Sequence, residues 1–140
     1  MKILVAVDGS PFTQRILAYI VEHGDWLGAK HAYTVLHVAP AVPSRAAAAL
    51  DRQLLKEHYA EEAEKVFAPI RGFLEQHQVP ADYLGKVGPA GDVIADVANE
   101  GRYDLLMMGS HGHGTLGKLV LGSVSTKVMA HCQTPVLIIR

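Results

Sequence analysis

The residues best equipped for chemistry lie close together near the C-terminus. From Gly109 to Gly122, five glycines fall within fourteen positions, interleaved with His111, His113 and Lys118 and followed by Ser123 and Ser125. Glycine is costly in backbone entropy, so such density implies a backbone needed in conformations that other residues resist, or one that a ligand approaches closely. Successive backbone N–H groups in a loop of this kind form a concave site for an anion such as phosphate. The second group is Asp8, in Asp8-Gly9-Ser10-Pro11. Its carboxylate is either an acceptor for a bound ligand or the start of an Asx turn.

Several familiar patterns fit the loop only formally. Gly112 to Gly117 reads G-H-G-T-L-G, the form of a dinucleotide fingerprint. That fingerprint belongs in the first strand-to-helix turn and needs an acidic residue about 20 positions on, whereas no Asp or Glu follows Asp104. Gly112 to Lys118 reads G-x-x-x-x-G-K, but Leu119 stands where a Walker loop requires the Ser or Thr whose hydroxyl binds Mg²⁺. His111 and His113 invite a metal reading, yet two histidines at i, i+2 with no third ligand nearby make a poor site. Cys132 carries no motif of a nucleophile and reads as structural.

The charge pattern singles out the same region. Residues 105–140 contain Lys118, Lys127, Arg140 and three histidines but no carboxylate side chain. Either this is chance in a buried, glycine-rich segment, or the segment is kept free of carboxylates because an anion sits there.

These residues need elements to hold them. Lys2–Val7 (KILVAV) is a continuous apolar run, as in a strand buried on both faces. Ser10 suits an N-cap and Pro11 a first helical position, for a helix running to about Trp26. Strands follow at His31–Val38, Asp82–Val87, Asp104–Met108 and Pro135–Ile139. The helices between them are expected at about Ala46–His77, kinked or restarted at Pro69, at Ala90–Glu100 and at Ser123–Cys132. Alternating strands and helices specify an α/β fold, a doubly wound parallel sheet with helices on both faces. In the usual five-stranded order 3-2-1-4-5, the winding reverses between strands one and four, and ligands bind at the carboxyl ends there. Asp8 and the Gly109 loop should therefore meet.

Composition excludes several classes. A chain of 140 residues is the size of one domain, residues 1–140, and can bury a sizeable core. Thirteen basic against fourteen acidic residues leave a net charge of −1, which argues against nucleic acid as a partner. No apolar run approaches the roughly 20 residues that span a bilayer, and Ile3–Val7 is too short for a secretion signal. A lone cysteine cannot form an internal disulfide, so the expected location is cytoplasmic.

Wider spacing gives the most specific pattern: Gly109, two residues, Gly112, nine residues, then Gly122-Ser123. Together with M-G-S-H-G at Met108–Gly112, L-G-S-V-S at Leu121–Ser125, P-V-L-I-I at Pro135–Ile139, I-L-V-A-V-D-G-S at Ile3–Ser10 and L-H-V at Leu36–Val38, the chain resembles the universal stress protein family, in its ATP-binding branch. The resemblance covers the whole chain and implies an adenine nucleotide alpha hydrolase-like fold. It further implies that Gly109, Gly112 and Gly122, with His111, Ser123, Val124 and Ser125, meet the phosphates of ATP, with Mg²⁺ as the accompanying ion. Asp8 would accept hydrogen bonds from ribose or adenine, and Val38, Ala6, Val7 and Met108 would line the adenine pocket. It implies a homodimer through Pro135–Ile139, a stress-response switch and an unidentified protein partner. Binding without efficient turnover is the expectation, since the acid-free segment offers no base beside the phosphates. The alternatives are a slow Mg²⁺-dependent ATPase or phosphotransferase, and a dimeric interaction module that needs no nucleotide.

Overall fold

The structure, a computed structural model, describes residues 1–113 and 120–140. Five strands form one parallel sheet: β1 (Lys2–Val7), β2 (Ala32–Ala39), β3 (Ala81–Val87), β4 (Leu105–Gly109) and β5 (Val136–Ile139). Their order is β3-β2-β1-β4-β5, the doubly wound α/β arrangement expected from the alternation of elements. The most apolar run becomes the central strand. Ile3 to Val7 are all buried, and Leu4 pairs with Thr34 of β2 on one side and Leu106 of β4 on the other.

Helices α1 (Pro11–Glu22), α2 (Ser44–Ala48), α3 (Arg52–Gln76), α4 (Ala90–Glu100) and α5 (Ser123–His131) connect the strands. Alternate strand residues feed two cores. Val5 and Val35 pack with Ile16 and Ile20 of α1 and Phe67 and Leu74 of α3. On the other face Leu4, Leu36 and Leu106 pack with Ile94 of α4 and Val128 of α5. Among the described residues, no helix is long and apolar enough to cross a membrane.

Local structure departs from expectation in a few places. The first helix ends at Glu22 instead of near Trp26, where His23 caps it by donating its N–H to the Tyr19 carbonyl. The single helix expected over Ala46–His77 is two, because Asp51 breaks it and caps the second piece, accepting from the Leu54 N–H at 2.7 Å. Pro69 neither ends nor restarts α3. It removes one amide bond, but burial of Phe67, Ile70 and Leu74 keeps the helix on the sheet. Asp104 stays outside β4, where its carboxylate accepts from the Lys2 N–H at 2.7 Å.

Tyr33 gives a stability test. It is 3% exposed, and its hydroxyl is buried with no hydrogen-bond partner among the described residues. Burial pushes the phenol from its ordinary 10.0 up to about 12. The unfolded chain ionises first, so this contribution is complete below about pH 10 and is lost as pH rises towards 12. Tyr33→Phe removes the unsatisfied hydroxyl and is expected to raise stability by about 1 kcal/mol. It should also flatten the decline between pH 10 and about 12; denaturant unfolding at pH 8 and 11 reads both effects.

Candidate functional site

At the carboxyl end of β1 the chain turns sharply at Gly9, whose φ of +78° lies in the left-handed region that glycine favours. Asp8 Oδ1 accepts from the Ser10 N–H at 2.9 Å and from the Thr13 hydroxyl at 3.3 Å. Thr13 Oγ1 in turn accepts from the N–H groups of Asp8 and Gly9 at 3.2 and 3.1 Å. The Asx turn is thus present, and Ser10 occupies the N-cap position of α1 without a side-chain cap bond. One oxygen of Asp8 is committed to the turn, and Oδ2 faces Gly112, where a Cβ would lie only 2.6 Å from it.

The segment after β4 is fastened at both described ends. The Gly122 N–H donates to the Ser110 carbonyl at 2.7 Å, and the buried Ser125 hydroxyl donates to the Gly109 carbonyl at 2.8 Å. His113 Nε2 lies 2.8 Å from the carbonyl of Asp8, which fixes that nitrogen as the donor and ties the segment to β1. The glycines supply room here, not unusual dihedrals. Among the described glycines only Gly9, Gly28 and Gly88 have positive φ. A Cβ on Gly109 would meet Phe12 Cβ at 2.6 Å, and one on Gly122 would sit 3.3 Å from His111 Cα. The expectation of conformations that other residues resist is corrected accordingly at Gly109, Gly112 and Gly122. Gly114, Gly117, Lys118 and Leu119, and with them most of the dinucleotide and Walker patterns, lie outside the described residues.

All twelve residues singled out from the sequence line one cavity of about 300 Å³ between the ends of β1 and β4. Its apolar wall is Ala6, Val7, Val38 and Met108; Asp8 sits at the turn, and Gly109, His111 and Gly112 form one edge. Gly122, Ser123, Val124 and Ser125 bring the start of α5 to the opposite edge. The first-turn N–H groups of a helix have no acceptor within it, and its dipole favours an anion there. An apolar slot beside an acceptor, with free N–H groups at the far edge, has the chemistry of a flat base, a hydroxylated linker and an anionic tail. The Ser125 hydroxyl is engaged within the chain, donating to the Gly109 carbonyl.

Phe12, Thr13, Ile16, Ala90, Ile94 and His113 also line the cavity. Phe12, Thr13 and Ile16 lie on the α1 face that follows Asp8, and their spacing was the available signal. Among the described residues no three His, Cys, Asp or Glu side chains group to hold a metal ion. Cys132 is half-buried, with Sγ 3.6 Å from the Thr134 carbonyl and outside the cavity lining.

Comparison with known proteins agrees with this fold. A universal stress protein of Thermus aquaticus is 34% identical over 139 residues, covering 99% of this chain and 97% of its own. The structure of the universal stress protein UspA from Lactobacillus plantarum superposes with a TM-score of 0.81 at 24% identity, covering 100% of this chain and 97% of that one. That of a universal stress protein from Archaeoglobus fulgidus in complex with dAMP gives 0.70 at 20% identity, covering 100% and 98%. The profile of the universal stress protein family matches residues 1–140 from end to end, and the chain belongs to that family.

Proposed function

We propose that this protein binds ATP in the β1–β4 cavity and acts as a nucleotide-dependent switch in a stress response. The observation that carries the reading is the gathering of the apolar wall, Asp8, the three close-packed glycines and the α5 N-terminus around one cavity. The base lies against Val38, Ala6 and Met108, the ribose or base edge meets Asp8, and the phosphates face the loop and the first turn of α5. The Archaeoglobus protein in complex with dAMP supports an adenine nucleotide as the ligand class. Mg²⁺ would accompany the phosphates with most of its water shell retained, since Asp8 is the single carboxylate among the described lining residues. That scarcity of carboxylates among the described lining residues supports binding over turnover: the single one, Asp8, has one oxygen tied to the Asx turn.

The switch acts through a homodimer and a protein partner. β5 is an edge strand, with Val136, Leu137 and Ile138 only partly buried. An apolar edge of this kind is satisfied by a second copy across a two-fold axis.

The test is to purify the protein without added nucleotide, heat-denature it and identify the released small molecule by mass spectrometry. Near-stoichiometric intact ATP is the expected result. ADP or AMP alone would favour turnover, and an empty cavity that also refuses added ATP would favour a docking module.

A further inference from the structure

The described lining residues of the cavity carry fewer positive charges than a triphosphate calls for. Among its described lining residues there is a carboxylate, Asp8, two histidines, and neither Lys nor Arg. The α5 N-terminus contributes a partial charge of about half a unit. Lys127 on α5 is already paired with Asp92 at 3.1 Å.

Arg15 differs. Its guanidinium sits 4.8 Å from the centre of the Phe12 ring, and it forms no ion pair among the described residues. Phe12 lines the cavity, occupies the space that a side chain on Gly109 would take, and has its ring centre 5.7 Å from that of His111. Arg15 is therefore an exposed cation with no ion pair among the described residues, resting on a ring that lines the cavity. A cation on an exposed aromatic face is weakly held, whereas guanidinium binds phosphate oxygens through paired, charge-assisted hydrogen bonds.

We propose that Arg15 leaves the Phe12 ring to bind the terminal phosphates and so sets the preference for ATP over AMP. This rests on the reading of the cavity as an adenine-nucleotide site. Phe12 serves as the platform that holds the guanidinium within reach when no triphosphate is present.

The experiment is calorimetric titration of nucleotide-free protein with ATP and with AMP, for wild type, Arg15→Gln, Arg15→Lys and Phe12→Leu. Arg15→Gln is expected to weaken ATP by about tenfold and AMP by less than about twofold. Arg15→Lys should recover part of the ATP loss, because the charge is kept but the paired geometry is not. Phe12→Leu should shift the ATP-to-AMP ratio the opposite way, by about threefold at most, because the ring contact that Arg15 gives up on binding ATP no longer competes with the phosphates. Equal losses for ATP and AMP in Arg15→Gln, or no loss for either, would overturn the assignment while leaving the nucleotide site intact. A wild-type protein that binds neither nucleotide would instead overturn the site reading on which it rests.

Discussion

In Gly112→Val, ATP affinity is expected to fall by about a hundredfold or more, with the fold retained. A Cβ at this position would lie 2.6 Å from Asp8 Oδ2, closer than carbon and oxygen can pack, and valine adds two methyl groups beyond it. Either Asp8 or the segment must move. Asp8 is held by the Ser10 N–H and Thr13, so the segment gives way and carries His113 from the Asp8 carbonyl. Displacing a charged acceptor and the adjoining backbone together removes roughly 3 kcal/mol of binding, which is about a hundredfold. Stability should change little, because Gly112 is partly exposed and its φ is not in the left-handed region. Calorimetry with ATP, alongside circular dichroism and thermal unfolding, separates the two quantities. Undiminished ATP affinity in the folded variant would place the nucleotide away from the Asp8–Gly112 contact.

What could be read from the sequence follows from how local each cause is. The central strand was legible because full burial writes itself as an unbroken apolar run, as in Ile3–Val7. The meeting of Asp8 with the Gly109 segment followed from topology alone, once the winding was known to reverse between β1 and β4. The restart expected as one outcome at Pro69 does not occur, for the opposite reason. The local cost of the proline is visible in the sequence, while the burial of Ile70 and Leu74 that outweighs it is tertiary. The split at Asp51 was legible in principle, since Asp is both a poor interior residue and a good cap. The role of the glycines was hidden. Their density signalled need, but only the structure shows that Gly109 yields to Phe12 and Gly112 to Asp8, contacts about a hundred residues apart in the chain. The use of the Ser125 proton was hidden too, because the Gly109 carbonyl that takes it lies sixteen positions away.

Asp8 separates nucleoside contact from fold through two substitutions. Asp8→Ala removes the acceptor for the Ser10 N–H and the Thr13 hydroxyl, so it is expected to cost about 1–2 kcal/mol of stability as well as binding. Asp8→Asn keeps an oxygen for the turn, which asparagine also supports. It puts an NH₂ group where Oδ2 lies beside Gly112, turning an acceptor into a donor. Stability should then stay near that of wild type, while AMP and ATP both weaken by about ten- to a hundredfold, since both carry the same nucleoside. The pattern across ligands is the informative part. Loss shared by AMP and ATP marks a contact to the ribose or base, and it contrasts with the ATP-selective loss expected at Arg15. Loss confined to ATP in Asp8→Asn would move the carboxylate to the phosphates or to Mg²⁺. Wild-type affinity for both nucleotides in Asp8→Asn would reduce Asp8 to a turn residue, with Oδ1 its only working atom. Because Oδ1 and Oδ2 face different partners, one in the turn and one towards Gly112, the two variants together assign each oxygen its role.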